Sequence, residues 1–148
     1  NTRKMLERLP EDKLGWKPHE KNKTVGQLAA HVAETPGWIN HIMTGTSFDM
    51  TRDVFSRVNS TSKEEIIAGF EQVLAQAIEV LQKCADEEWK VNWTFKSGEH
   101  KIFEVPRAAG VRTLVMNHLI HHRGQLSVYL RLLNVPVPGM YGPSADER

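Results

Sequence analysis

The sequence is poor in sulfur chemistry. Cys84 is the one cysteine in 148 residues. An internal disulfide is therefore impossible, and no CxxC pair exists to build a redox centre or a zinc ribbon. A lone thiol fits a reducing, cytoplasmic setting. An excess of one charge is also missing. Lys and Arg number 19, Asp and Glu 18, the net charge is +1, and the pI is about 8.1. Nucleic-acid-binding domains carry a basic stripe and a pI above ~9, so no nucleic-acid partner is evident. No apolar run approaches the ~18–20 residues of a membrane span, and the mean hydropathy is −0.44. No membrane partner is expected. HExxH, GxSxG, Walker A and GxGxxG motifs are absent, as is the Glu-x-x-His of di-iron bundles. These gaps leave no motif for zincin proteases, nucleophile-elbow hydrolases, P-loop NTPases or dinucleotide enzymes.

What remains is an ordinary soluble composition, 40% apolar and 25% charged. The length suits one domain over 1–148. The chain opens at Asn1 in a helical pattern (NTRKMLERL), so the N-terminal part of a first helix is expected to be missing. Met5, Leu6 and Leu9 give that helix an apolar stripe, which Pro10 ends. Leu14 and Trp16 should pin the charged loop that follows. Thr24-Val-Gly-Gln27 and Ser62-Lys-Glu-Glu65 read as capping boxes. The first opens a helix over 25–43 kinked at Pro36, and the second opens a helix to about 84. Residues 44–61 read as a connection with short helical turns at most. Val91, Trp93 and Phe95 alternate with polar residues before Ser97-Gly98, which fits a short hairpin. A last helix runs from about Ala108 to Leu133, closed by Asn134 and Pro136. The pattern predicts an all-α protein, a four-helix bundle with a short hairpin before the last helix.

Seven histidines give this frame its chemistry. His118 and His122 are i, i+4, one turn apart on one helical face. That face carries Val111, Leu114, Val115, Gln125 and Tyr129, so the pair should point inward. His31 lies between Leu28 and Val32 on the apolar side of the second helix. Three imidazoles from two helices could share one divalent ion at ~2.0–2.1 Å and leave coordination positions open, the pattern of a catalytic site. The alternative is three hydrogen-bonded core histidines. Glu34, three residues after His31, could orient its ring or act as a base; a solvated surface carboxylate is the simpler reading. His121 points about 100° away from His122 and is a second candidate for proton transfer. Arg123, Gln125 and Tyr129 are candidates for substrate binding, against a surface salt bridge for Arg123 and a core role for Tyr129. His19, His41, His100, Cys84 and the four tryptophans carry no functional signal.

Three blocks together are familiar: Thr24-Val-Gly-Gln-Leu-Ala-Ala-His31-Val-Ala-Glu34, Asn117-His-Leu-Ile-His-His-Arg-Gly-Gln125, and Pro136-Val-Pro-Gly-Met-Tyr-Gly-Pro-Ser144. They resemble the DinB/YfiT-like superfamily of metal-dependent enzymes over most of the chain. The resemblance implies a four-helix bundle with long crossovers, often a homodimer. It also implies one divalent metal ion, zinc or nickel, on His31, His118 and His122. Characterised relatives include transferases and isomerases that use low-molecular-weight thiols such as bacillithiol, mycothiol or glutathione. The expected function is a metal-dependent enzyme acting on a small molecule, a thiol-dependent S-transferase or a hydrolase. The alternative is a non-catalytic metal-binding stress-response protein.

Overall fold

The computed structural model describes residues 1–55 and 57–147. The chain forms two compact units, each drawn from separate stretches. One comprises Asn1–Glu34, Arg57–Glu71 and Ile120–Arg148; the other comprises Thr35–Ser56 and Gln72–Leu119.

In the first unit, α1 (Thr2–Leu6) has only five residues, too few to be stable alone in water. Its Met5 and Leu6 are fully buried, at roughly 1.5–3 kcal/mol per side chain, which holds the turn in place. Helix α2 (Val25–Glu34) begins at the predicted capping box. The Thr24 amide donates to Gln27 Oε1 at 3.0 Å, and the Gln27 amide donates to Thr24 Oγ1 at 3.2 Å. The loop before it satisfies two further amides of the first turn: Val25 N–H reaches the Trp16 carbonyl and Gly26 N–H the Leu14 carbonyl, at 2.8 and 2.9 Å. Leu14 is buried and Trp16 meets Tyr129 edge to face at 5.8 Å, so this loop is pinned as expected. Helix α6 (His118–Leu132) buries Leu126, Tyr129 and Leu130. It ends in a paired closure: Val135 N–H reaches the Leu130 carbonyl and Asn134 N–H that of Arg131, with Asn134 at φ 58°.

The second unit has an aromatic core. Helix α3 (Trp38–Thr44) follows α2 through a tighter 3-10 turn over Thr35–Gly37, where the sequence placed its kink. Ile39, Ile42 and Met43 of α3 pack with Phe48, Ala77, Trp93, Val111 and Val115. Trp93 is fully buried, and its indole N–H donates to the His41 carbonyl at 3.1 Å, so no donor is left orphaned. Helix α4 (Lys63–Gln82) supplies Ala77. Strands β1 (Ser47–Asp49), β2 (Asn92–Ser97) and β3 (His100–Pro106) form a sheet in the order β1-β2-β3. The β2–β3 pair is the predicted hairpin, antiparallel with an irregularity between Phe95 and Lys96. Strand β1 runs parallel to β2, with Phe48 opposite Phe95.

This sheet corrects the all-α, four-helix-bundle expectation: the protein is a mixed α/β structure. Residues 44–61 were read as a connection, yet they contain β1. Two features hold so short a strand. An aromatic row crosses all three strands, with Phe48 and Phe95 stacked at 6.0 Å and Phe95 and Phe103 at 5.4 Å. Such cross-strand pairs contribute ~0.2–1 kcal/mol each. The buried Asp49 carboxylate accepts from Gly98 N–H at 2.9 Å, Thr51 N–H at 3.0 Å and the Thr51 hydroxyl at 2.7 Å. These bonds hold its pKa far below the usual carboxylate range against the opposing effect of burial, and they tie β1 to the hairpin turn.

The last helical stretch also differs in detail. It starts as α5 (Arg107–Gly110), widens to a π-helical segment over Val111–Asn117, and continues as α6. Such widened turns are frequent at functional sites, and this one ends immediately before His118. Among the described residues, no helix is long and apolar enough to cross a membrane.

Candidate metal centre

His31 lies near the end of α2, and His118 and His122 lie one turn apart at the start of α6. One ring nitrogen from each comes within 4.8 Å of the other two, and all three side chains are half-buried. The His31 and His122 rings meet edge to face at 4.5 Å. Ligands of one tetrahedral ion at ~2.0–2.1 Å stand roughly 3.4 Å apart, so the set is close to ligating distance. Three imidazoles with this spacing could hold a divalent metal ion.

The outer nitrogens are spoken for. His31 Nδ1 lies 2.9 Å from Glu34 Oε1. Glu34 is 5% exposed. Burial alone would raise its pKa, but the His31 hydrogen bond and the Arg57 guanidinium outweigh it, and the net shift is downward. An ionised carboxylate only accepts, so His31 Nδ1 carries a proton and Nε2 is the nitrogen placed to bind a metal. His122 Nδ1 lies 2.7 Å from Gln125 Oε1, which selects the same tautomer. Burial lowers the His122 pKa; the Gln125 bond opposes this, and the nearby His31, His121 and Lys23 charges push it further down. The ring is thus held in its neutral, ligating form near pH 7. Hydrogen-bonded Nδ1–H groups of this kind orient and enrich metal-binding imidazoles.

The other residues singled out from sequence divide clearly. Glu34 and Gln125 join the histidines. His121 sits against the His122 ring at 4.8 Å and is exposed. Arg123 is buried, and its guanidinium donates to Thr2 Oγ1 at 3.1 Å and the Tyr141 hydroxyl at 2.7 Å. Its observed partners are structural. Tyr129 is buried against Trp16. His41 belongs to the aromatic core, between Trp38 and Phe48. Burial lowers its pKa and the Asp53 charge partly opposes this.

Arg57 was missed. It donates to Glu34 Oε1 at 2.7 Å, and Val58 N–H approaches Oε2 at 3.4 Å. No periodic pattern marks this segment. Its placement depends on two close approaches at glycines: a Cβ on Gly26 would meet the Ser60 carbonyl at 2.9 Å, and one on Gly69 would meet Val58 Cγ1 at 2.7 Å. The segment therefore lies tightly against α2 and α4. Between it and α2 is a solvent-open cleft of about 260 Å³, lined in part by His31, Glu34 and Arg57.

The DinB family model matches residues 1–148. The chain belongs to the DinB family. Over 149 aligned residues it is 27% identical to the uncharacterised protein YrdA of Bacillus subtilis strain 168, spanning 99% of this chain and 83% of that one. Its fold is similar to the crystal structure of a DinB-like protein from Bacillus cereus ATCC 10987, at TM-score 0.70 and 27% identity, over 95% of this chain and 88% of that one. It is also similar in fold to the DinB-like protein YjoA of Bacillus subtilis, at TM-score 0.73 and 16% identity, over 96% and 90% of the two chains. The resemblance read from the histidine blocks is thus a family membership.

Proposed function

We propose that this DinB-family protein is a divalent-metal-dependent enzyme, with His31, His118 and His122 as ligands of zinc or nickel. A small molecule would react in the adjoining cleft, by thiol transfer or hydrolysis. The observation that carries this reading is the position of His31. One ring nitrogen is tied to Glu34, the ring belongs to a three-imidazole set, and the residue also lines a cleft open to solvent. A purely structural ion needs no such access, whereas a catalytic one does. When bound, the ion supplies Lewis acidity and lowers the pKa of a thiol or water towards neutrality.

The chain's own residues divide the remaining work. Glu34 positions His31. Its lowered pKa and its bonds to His31 and Arg57 make it a poor base at neutral pH. His121, exposed beside His122, is the better candidate to move a proton. Gln125 positions His122. The low-molecular-weight thiol is the proposed co-substrate of the transfer reaction, and a cytoplasmic location would supply it. A homodimer is proposed as well. Ile120, Val128 and Leu132 are exposed on α6 at multiples of four residues, with Gly124 at the intervening position, a ridge suited to helix packing.

Metal content tests the reading. Elemental analysis of the purified protein should give one divalent ion per chain, absent from the triple His31→Ala, His118→Ala, His122→Ala variant. A screen of electrophiles with bacillithiol, mycothiol and glutathione, each with and without metal, should then give metal-dependent turnover. Failure to bind any metal after reconstitution at neutral pH would remove the mechanism. Stoichiometric metal with no turnover would leave a metal-binding protein of non-catalytic role.

A further inference from the structure

The cleft beside His31 differs from the usual small-molecule pocket, in which apolar walls surround a few polar groups. Among the described residues, only Ala30 and Val58 offer it apolar side chains. Its remaining lining is rich in hydrogen-bond donors. Lys23 contributes an ammonium, Arg57 a guanidinium, and Ser60 a hydroxyl. Gln27 lines it too, and its carbonyl oxygen is already used by the Thr24 amide, which leaves the amide NH₂ as its free function.

The charges do not cancel. Glu34 is the one carboxylate among the described residues of the lining. Its Oε1 accepts from Arg57 and from His31, and its Oε2 faces Val58 N–H. The Glu34 charge is therefore answered at the base of the cleft. Lys23 is exposed, and among the described residues its ammonium enters no salt bridge. It adds one uncompensated positive charge to the rim.

We propose that this cleft recognises an anionic oxygen group of the substrate, a carboxylate or a phosphate, with Lys23 as its cation and Ser60 and the Gln27 amide as further donors. The inference rests on the reading of the three histidines as the reaction centre, because it places the anionic group next to His31. The substrate class is then a small electrophile or ester that carries a negative charge near its reacting atom. A neutral apolar substrate would bury donors without partners here, which is unfavourable.

Fluorine NMR titration tests the subsite by binding alone. The probes are 4-fluorobenzoate, 4-fluorophenyl phosphate and the neutral 4-fluorobenzamide. Each is titrated into metal-free and zinc-loaded protein, wild type and Lys23→Gln, with Lys23→Arg as the charge-keeping control. At least one anion should bind about tenfold tighter than the amide in both metal states, and whichever anion binds tighter identifies the group. Lys23→Gln should remove most of that preference at unchanged metal content, and Lys23→Arg should restore it. Equal binding of anions and amide overturns the subsite. So does a preference that Lys23→Gln leaves intact, because the anion would then be held by another group: the zinc if the preference needs metal, or a different side chain if it does not. Metal-free protein with a Lys23-dependent preference but no capacity for zinc would keep the subsite and refute the metal-enzyme reading.

Discussion

His31 Nδ1 and Glu34 Oε1 stand 2.9 Å apart, one turn of α2 separating the two residues. The bond fixes which nitrogen of His31 is left to bind a metal. Removing it should weaken metal affinity without removing the site. Loss of a carboxylate behind a ligating imidazole typically costs 10–100-fold in affinity. We expect Glu34→Ala to lose that much in competition with a chromophoric chelator. Glu34→Gln, which keeps an acceptor oxygen, should lose less. Equal affinities in wild type and Glu34→Ala would mean that the ring is oriented by something else.

The paired histidines of α6 give a sharper test. His118→Ala and His122→Ala should each abolish tight metal binding, because two imidazoles make a poor site for a divalent ion. Both residues are only half-buried, so far-ultraviolet circular dichroism should show nearly wild-type helicity. Full metal stoichiometry retained by both variants would refute the three-histidine assignment.

Much of this site was legible because its parts are local. An i, i+4 pair, a capping box at Thr24 and the His31–Glu34 spacing all lie within one or two helical turns, where side-chain directions follow from 3.6 residues per turn. The hairpin was legible for the same reason, from alternation around Ser97-Gly98. What escaped was non-local. Strand β1 is three residues long, and its parallel pairing with β2 joins Phe48 to Phe95 across the whole of α4 and its flanking segments. No periodicity can be counted in Ser-Phe-Asp. Arg57 escaped because close approaches of Ser60 to Gly26 and of Val58 to Gly69 place its segment, and a glycine in a helix does not announce what lies against it. The π-helical turns before His118 left no mark either, since Val111–Asn117 keeps an ordinary apolar spacing.

Stability should depend on pH through His41. Burial lowers its pKa from an ordinary value of about 6.5, with Asp53 opposing. The unfolded chain then binds the proton first as pH falls. Stability rises with pH wherever the unfolded state holds more protons, so the folded state keeps its full advantage above about pH 6.5 and loses it below, until the depressed pKa is passed. The urea midpoint of metal-free protein should drop between pH 7.5 and pH 5.5. His122 contributes with the same sign, so His41→Gln should shrink the drop without abolishing it. The same drop in wild type and variant would show that His41 does not titrate differently in the two states.

The exposed ridge of α6 leads to the last prediction. Ile120, Val128 and Leu132 are each roughly half exposed. Between Ile120 and Val128 lies Gly124, where an added Cβ would find nothing within 4 Å. The spacing of four places all of them in one row, and the glycine leaves a notch in it. Two such rows can interdigitate when the i±4 ridges of facing helices cross, and a two-fold axis would make one patch complementary to itself. Burial of three aliphatic side chains per chain contributes enough, at roughly 1.5–3 kcal/mol for each full burial, that one charge in the row should tip the equilibrium. Sedimentation equilibrium of the wild type should give twice the 16.8 kDa chain mass. Val128→Glu, whose side chain stays solvated in the monomer, should give the single-chain mass with unchanged circular dichroism. A wild-type protein that sediments as a monomer at high micromolar concentration would refute the dimer. A dimer unmoved by Val128→Glu would place its interface elsewhere.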